Sequence, residues 1–180
     1  EIILEKAIKY RSRGIVGIDL AGTETHTIEF EGAVEKYAVI FERAREAGLG
    51  TTVHTGETPA TSGEGVIAVV DKLKPRRIGH GVRAAYNPEA LGRLKETGTV
   101  LEICPSSNLQ TRAVRHLEEF RFILGTFIES GIPFTINTDG TYLLRTNLAR
   151  EFRLLGEAEI LSPGELEQAR LLAFESSFID

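Results

Sequence analysis

The chain has 180 residues, of which 42% are hydrophobic and 26% are charged, and its formal net charge at pH 7 is −5. This length and composition suit one folded core of ordinary size and exclude a disordered chain. The mildly acidic balance gives no electrostatic attraction to nucleic acid or to an anionic membrane, so we expect neither as a partner.

Few features of this sequence indicate a cellular compartment. Its single cysteine, Cys104, excludes an intramolecular disulfide and fits a reducing compartment. No run of about 18 apolar residues predicts a membrane-spanning helix, and no signal-peptide pattern is visible. We therefore expect a cytoplasmic protein. The sequence contains no methionine, which we interpret as the mark of a fragment or of a piece of a longer polypeptide.

Short apolar runs alternate with amphipathic stretches along the whole chain. The apolar runs predict buried strands over residues 14–20, 50–54, 77–80, 99–103 and 133–138. Helices are predicted over residues 31–46, 65–73, 88–97, 116–130 and from 163 to about 172. Two helix starts are well marked, by Asn87-Pro88-Glu89 and by the capping-box spacing of Ser162 and Glu165.

This repeated strand-then-helix order predicts an α/β fold with a parallel sheet and right-handed crossovers. Two architectures fit the pattern. One is a five-stranded doubly wound sheet, for which 180 residues is a natural size. The other is part of a (β/α)8 barrel, which typically needs roughly 250 residues. No internal repeat or linker is visible, so the chain is one domain or part of one.

Polar side chains with useful chemistry stand at the carboxyl end of one predicted strand after another. They are Asp19, His54, His80, Glu102 and Asp139. In parallel α/β folds these ends face the ligand. A buried histidine bonded to a carbonyl would explain any single position, but five corresponding positions indicate a site.

The string His54-Thr55-Gly56-Glu57 combines two groups that metal-dependent catalysis uses. The histidine ends a strand and can offer a neutral ring nitrogen to zinc. Gly56 allows a tight turn that brings Glu57 back over the same edge. A carboxylate beside a metal can act as a general acid or base.

His80 and Asp139 each leave two interpretations open. His80, between Gly79 and Gly81, could ligate a metal or hold a metal-bound water. Asp139 could ligate zinc or could cap the N-terminus of a helix.

Other reactive residues carry weaker signals. Cys104 is expected to be a small buried thiol rather than a nucleophile. His26 and His116 are expected to be surface or capping groups. No glycine-rich phosphate loop follows a predicted strand, so we expect no nucleotide cofactor.

Five strings together resemble the adenosine/AMP deaminase family, in order and at family-like spacing. They cover residues 17–24, 54–57, 77–81, 102–108 and 137–139, and residues 174–178 also look like the end of the family's sequences. The resemblance implies a TIM-barrel metallohydrolase with one Zn²⁺. Residues 1–180 would be the C-terminal portion of that single domain, with about the last five β/α units.

The resemblance also implies a role for each matching residue. His54 and Asp139 correspond to zinc ligands, and Glu57 corresponds to the residue that protonates the purine ring nitrogen. His80 corresponds to the histidine that orients and helps deprotonate the zinc-bound water. Gly22 corresponds to the glycine whose backbone N–H meets a purine nitrogen. The implied reaction is hydrolytic deamination of adenosine, or of another adenine-type nucleoside, to the 6-oxo product and ammonia.

The sequence departs from the family by containing no His-x-His pair. The family takes two zinc ligands from such a pair on its first strand. Because catalytic zinc normally has at least three protein ligands, a site with only His54 and Asp139 would bind it poorly. We therefore expect a longer polypeptide, or another chain, to supply the first strands and this pair.

A second departure concerns substrate recognition. Gly140 stands where the family usually has a second aspartate that contacts the purine. Loss of this acceptor removes an interaction of roughly 1–3 kcal/mol. A modified adenosine such as aminodeoxyfutalosine is thus an alternative substrate, and a non-catalytic α/β binding domain is an alternative from another class.

Overall fold

A parallel five-stranded sheet forms the centre of the computed structural model, which describes residues 1–23 and 33–179. The strands are β1 (Gly17–Leu20), β2 (Gly50–Thr55), β3 (Arg77–His80), β4 (Val100–Ile103) and β5 (Phe134–Ile136). Each strand pairs in parallel with the next one along the chain. A doubly wound sheet reverses its strand order at a switch point, whereas consecutive units of a (β/α)8 barrel do not. The α/β prediction is confirmed, and the order is that of five consecutive barrel units.

Helices separate successive strands. They are α1 (Ile2–Lys9), α2 (Ala33–Glu46), α3 (Ser62–Leu73), α4 (Pro88–Thr97), α5 (Pro105–Gln110), α6 (Glu119–Ser130), α7 (Thr141–Leu144), α8 (Leu148–Glu157) and α9 (Pro163–Glu175), with short 3₁₀ turns at Arg11–Arg13 and Val82–Tyr86. Along the described residues we find no helix with the length and apolarity needed to cross a bilayer.

The two predicted helix starts form as expected. The Asn87 side chain accepts hydrogen bonds from the backbone N–H groups of Glu89 and Ala90. Ser162 and Glu165 exchange the reciprocal hydrogen bonds of a capping box. Each cap satisfies backbone donors that a helix leaves unpaired, and such a cap stabilises a helix by about 1 kcal/mol.

Side chains of the strands alternate between an apolar face and a polar face. Val53, Ile78 and Leu101 belong to the buried hydrophobic core, which the sheet shares with the helices. The other face carries one polar cleft. It is lined by Asp19 with its register partner Thr52, and by His54 with its register partner Gly79. Because successive strand residues point to opposite faces, this alternation turns the polar residues of all strands towards one site.

Several predicted boundaries differ from those of the structure. The first strand begins at Gly17 rather than at residue 14, because Gly14 closes the preceding 3₁₀ turn with φ +98°. The helix predicted over 116–130 begins at Glu119. Residues 31 and 32 of the helix predicted over 31–46 lie outside the described residues. The helices α1, α5, α7 and α8 were not predicted. The 6 residues of α5 and the 4 of α7 are too few to show a period, whereas α1 and α8 each have an apolar face that was overlooked.

Candidate active site

A small polar cleft of about 220 Å³ opens at the carboxyl ends of the strands. Its walls include Asp19, His54, Glu102 and Asp139. Four of the five residues predicted from strand ends therefore line one cleft. The fifth, His80, adjoins it, since its ring lies edge-on to the His54 ring with 5.3 Å between ring centres.

His54 lies near the end of β2 and is held by a carboxylate. Its Nδ1 lies 3.1 Å from Oδ1 of Asp19 on β1. The hydrogen bond to Asp19 raises the pKa of His54, against the opposing effect of burial. When Nδ1–H donates to Asp19, the lone pair of the neutral ring is on Nε2, which is the arrangement that metal-binding histidines use.

His80 ends β3 in an unusual backbone conformation. Its φ is +65°, and the following Gly81 also has a positive φ, of +67°. A non-glycine residue in this region is uncommon and strained, and such residues cluster at functional sites. The side chain is 3% exposed, and burial lowers the pKa of His80 while Glu57 opposes that shift.

Glu57 reaches the site through the predicted tight turn. Gly56 has φ +64°, and a Cβ at this position would lie 2.5 Å from Cγ2 of Val66. Beyond the turn, Oε1 of Glu57 accepts a hydrogen bond of 2.9 Å from the Thr111 hydroxyl. Its Oε2 lies 3.6 Å from Nε2 of His80. The structure thus brings the predicted carboxylate next to the predicted second histidine.

Asp139 does not cap a helix. Residue 140 is the N-cap of α7, and no side-chain hydrogen bond caps that helix. Instead, Oδ2 of Asp139 accepts a 2.6 Å hydrogen bond from the Ser107 hydroxyl. The backbone of Asp139 is left-handed, with φ +55°. Its negative charge adds to the rise in the pKa of His54 and opposes the lowering of the pKa of His80 by burial. The helix-cap interpretation was therefore wrong.

Glu102 has a structural partner below the site. Its Oε1 lies 3.0 Å from Nε of Arg77, and its Oε2 accepts a hydrogen bond of 2.9 Å from the Thr52 hydroxyl. These contacts join β2, β3 and β4 beneath His54 and Asp139. Glu102 therefore lines the cleft while its carboxylate stabilises the sheet.

The two glycines predicted to face substrate lie just past strands. Gly22 follows β1 with φ +129°, and a Cβ built there would meet no atom of the described residues within 4 Å. Gly140 has φ −81°, and within residues 1–23 and 33–179 its hypothetical Cβ has one neighbour inside 4 Å, Cβ of Leu143 at 3.8 Å. Both positions are exposed. Glu24 of the family-like string and His26 lie outside the described residues.

Cys104 and His116 have the structural roles expected from sequence, as a buried thiol and as a capping group. Cys104 is buried, its thiol donates to the carbonyl of Glu102, and burial raises the pKa of the thiol. A thiol held neutral in this way is a poor nucleophile. Nδ1 of His116 accepts a hydrogen bond from the Glu119 backbone N–H, near the start of α6.

Three residues of the site had no predicted role, although two of them lie in the family-like string 102–108. Ser107, Asn108 and Thr111 come from α5 and the residue that follows it, and they contact Asp139, His80 and Glu57 respectively. Their spacing after β4 could have indicated them. Asn108 and Thr111 follow Ser107 by one and four residues, and this spacing places three small polar side chains on one helical face.

The described residues suit part of a metal site. Within residues 1–23 and 33–179, no group of three or more His, Cys, Asp or Glu side chains is arranged to hold a metal ion. His54, with Nδ1 on Asp19, and Asp139, with Oδ2 on Ser107, each keep a second atom of the kind that binds zinc. Two such donors fit a catalytic zinc that takes further ligands from other residues.

Comparisons with known proteins agree with this geometry. Over 177 residues, the chain is 38% identical to an adenine deaminase of Rhizobium leguminosarum bv. trifolii, a match that covers 98% of this chain and 52% of that protein. It is 37% identical over 177 residues to an adenosine deaminase of Clostridium botulinum, covering 98% of this chain and 50% of that protein. The crystal structure of an Arabidopsis N6-mAMP deaminase superposes with a TM-score of 0.80 at 26% identity, covering 98% of this chain and 49% of that one.

The chain thus spans about half the length of the curated relatives it matches. The family model described as adenosine deaminase matches residues 1–180. Together with the parallel sheet and the paired histidines and carboxylates at its carboxyl edge, this match shows that the chain belongs to the adenosine deaminase family.

Proposed function

We propose that the intact protein hydrolyses the amino group of an adenine-type purine, giving the 6-oxo product and ammonia, with a zinc-activated water. The convergence of Glu57, His80, His54 and Asp139 at one edge of the sheet carries this proposal. These residues unite a proton donor, a neutral imidazole and two metal-binding groups, which is the set that metal-assisted hydrolysis requires. The family membership supports the same reaction.

Zinc would be held by Nε2 of His54 and by the carboxylate of Asp139. Two further ligands would come from a His-x-His pair on a preceding part of the polypeptide, as the family resemblance implies. A bound zinc ion supplies an activated water, because it lowers the pKa of water towards about 7. Asp19 and Ser107 orient the two ligands through the hydrogen bonds described above.

Residues of this chain transfer the proton and bind the purine. Glu57, in its protonated form, donates to the purine ring nitrogen beside the amino-bearing carbon, which makes that carbon more electrophilic. Thr111 steadies the carboxyl group by its hydrogen bond to Oε1. His80 orients the attacking oxygen, and the backbone N–H of Gly22 binds another purine nitrogen.

The rest of the domain completes the barrel. Among the described residues, β1 and β5 each pair with one neighbouring strand and form the two edges of the sheet. We infer that residues 1–180 are the C-terminal portion of one TIM-barrel domain whose first strands close these edges. The lone, buried thiol of Cys104 suits a cytoplasmic enzyme.

Adenosine and adenine are the substrates we propose for this site. The relatives described above are named for deamination of adenine, adenosine and N6-mAMP. None of these names supports the aminodeoxyfutalosine alternative that Gly140 suggested. The purine ring with its 6-amino group is common to all three, and it is the part of the substrate that Glu57 and Gly22 would contact.

A comparison of kcat/KM for adenine, adenosine, AMP and aminodeoxyfutalosine tests the proposal. The intact, zinc-loaded protein is expected to release ammonia fastest from adenine or adenosine. A preference for aminodeoxyfutalosine would overturn the substrate assignment and favour the argument from Gly140. Folded, metal-free protein that binds purines but gains no activity with zinc would indicate a binding domain instead.

A further inference from the structure

One short segment contacts three of the site's reactive side chains. Ser107 and Asn108 lie on α5, and Thr111 directly follows it. The three side chains meet Asp139 at 2.6 Å, His80 at 3.0 Å and Glu57 at 2.9 Å. Because these partners follow three different strands, the position of α5 sets the geometry of groups that are far apart in sequence.

Asn108 is the most tightly held residue of this segment. Its backbone N–H donates to the carbonyl of Cys104 at 2.9 Å, and its own carbonyl accepts from the N–H of Val114 at 2.9 Å. The residue is 0% exposed. With its backbone bonded on both sides and its side chain enclosed, the amide has little freedom to leave the ring of His80.

The orientation of the Asn108 amide determines which ring nitrogen of His80 carries the proton. Nδ2 of Asn108 bears only hydrogens and can only donate, so Nδ1 of His80 must accept with its lone pair. In a neutral imidazole the proton is then on Nε2. On the opposite side of the ring, Nε2 faces Oε2 of Glu57 at 3.6 Å. An Oε2 that carries no hydrogen favours an N–H at that position over a second lone pair.

We propose that Asn108 is a positioning residue that fixes His80 in the tautomer with its proton on Nε2, directed at the reaction site. The catalytic meaning of this arrangement rests on the proposed deaminase function. With this proton in place, Nε2 of His80 is a hydrogen-bond donor to the attacking oxygen. Of the two roles that the family resemblance implies for His80, this tautomer therefore supports the orienting role and not the deprotonating one. The bent strand end at His80 turns Nε2 towards Glu57, and Asn108 supports the ring from behind.

The alternative orientation of the amide has the opposite consequence. Oδ1 of Asn108 is buried and has no hydrogen-bond partner among the described residues. A half-turn of the amide would bring Oδ1 against an Nδ1–H of His80, and the lone pair would move to Nε2. That lone pair would then face Oε2 of Glu57, which is electrostatically unfavourable when this oxygen carries no hydrogen. The two amide orientations therefore predict different positions for the His80 ring proton, Nε2 in one case and Nδ1 in the other.

Nitrogen NMR of the intact protein, labelled with ¹⁵N-histidine, distinguishes them directly. The His80 signals are identified by their loss in His80→Gln. In the wild type we expect Nδ1 without a proton and Nε2 with one. Asn108→Asp has the same shape but an acceptor in place of the donor, so it should place a proton on Nδ1, either in the neutral ring or in an imidazolium that the added charge stabilises. Gln110→Ala, an exposed change on the same helix, should leave the tautomer unchanged.

Two results would overturn the tautomer assignment. They are a wild-type His80 with its proton on Nδ1, and an Asn108→Asp protein, folded by circular dichroism, whose tautomer is the same as in the wild type. Because this readout needs no turnover, it is independent of the reaction that we propose. An inactive wild type with the expected tautomer would contradict the proposed function and leave the tautomer assignment confirmed.

Steady-state kinetics test the positioning role itself. If the tautomer matters for the reaction, Asn108→Asp should lower kcat by about 10- to 100-fold, the usual effect of losing a group that orients a site residue. KM should change by less than about 3-fold, since Asn108 would not contact substrate. A reversed tautomer with unchanged kcat would show that Asn108 has a structural role only.

Discussion

Gly79 on β3 lies directly opposite His54 on β2, and the absence of a side chain at Gly79 makes room for the histidine ring. A Cβ at position 79 would lie 2.9 Å from Cγ and Cδ2 of His54 and 3.0 Å from its Nδ1. Real Cβ atoms do not approach ring atoms this closely, so the ring would have to move. Gly79 therefore helps to set the orientation of the proposed metal ligand.

Gly79→Ala is expected to weaken zinc binding by about 10-fold or more, because the ring moves away from its hydrogen bond with Asp19. Competition with a chromogenic chelator measures the affinity. Gly92→Ala is a matched control on α4, where a new Cβ meets nothing within 4 Å in the part of the chain that the structure describes. Equal zinc affinities for the two variants would show that the close approach does not matter.

Asp19→Ala should lower zinc affinity by about 10- to 100-fold at pH 8, since His54 loses the partner that orients it. The pH dependence should also change. Asp19 raises the pKa of His54, and a protonated ring cannot bind metal, so binding in the wild type is lost as the pH falls through this raised pKa. Without Asp19 the loss should occur at lower pH.

Asp19→Asn is the control for that change, because its amide oxygen can still accept from Nδ1–H. It should keep more of the affinity than Asp19→Ala does. Isothermal titrations with zinc between pH 5 and pH 8 provide both measurements, a range chosen to span the ordinary pKa of histidine, about 6.5. An unchanged pH midpoint in Asp19→Ala would contradict the assigned role of Asp19.

Glu57→Gln should retain zinc and lower kcat by about 100-fold or more, because the amide cannot donate a proton to the ring nitrogen in the way a carboxylic acid does. Asp139→Ala should instead release the metal. Zinc content by atomic absorption and ammonia release separate the two effects. A rate equal to the wild type in Glu57→Gln would exclude Glu57 as the proton donor.

Gly140→Asp should raise kcat/KM for adenosine by about 10-fold, since it restores an acceptor beside the purine in a position with room for a side chain. The backbone φ of −81° suits any L-residue. Gly140→Ala fills the same space without an acceptor and should give no gain. Equal effects of the two substitutions would show that the carboxylate at this position does not recognise the base.

The regular alternation of strands and helices made the sheet predictable from sequence, and the strand-end positions of His54, His80 and Asp139 made their meeting predictable. The hydrogen bonds that orient these side chains were not predictable. The Asn108–His80 contact joins residues 28 apart in sequence, and no local periodicity encodes such a pair. The left-handed backbone of His80 was also not predictable from sequence. A glycine at this position would have suggested a positive φ, whereas a histidine does not.

Ammonia release from adenine and adenosine by the intact protein is the measurement that tests the central claim most directly. We predict one ammonia for each 6-oxopurine formed, with activity lost on chelation and restored by zinc. Gln110→Ala should retain the wild-type rate, and His54→Ala should lose activity at zinc concentrations that saturate the wild type. Folded, zinc-loaded protein that releases no ammonia from either compound would contradict the account.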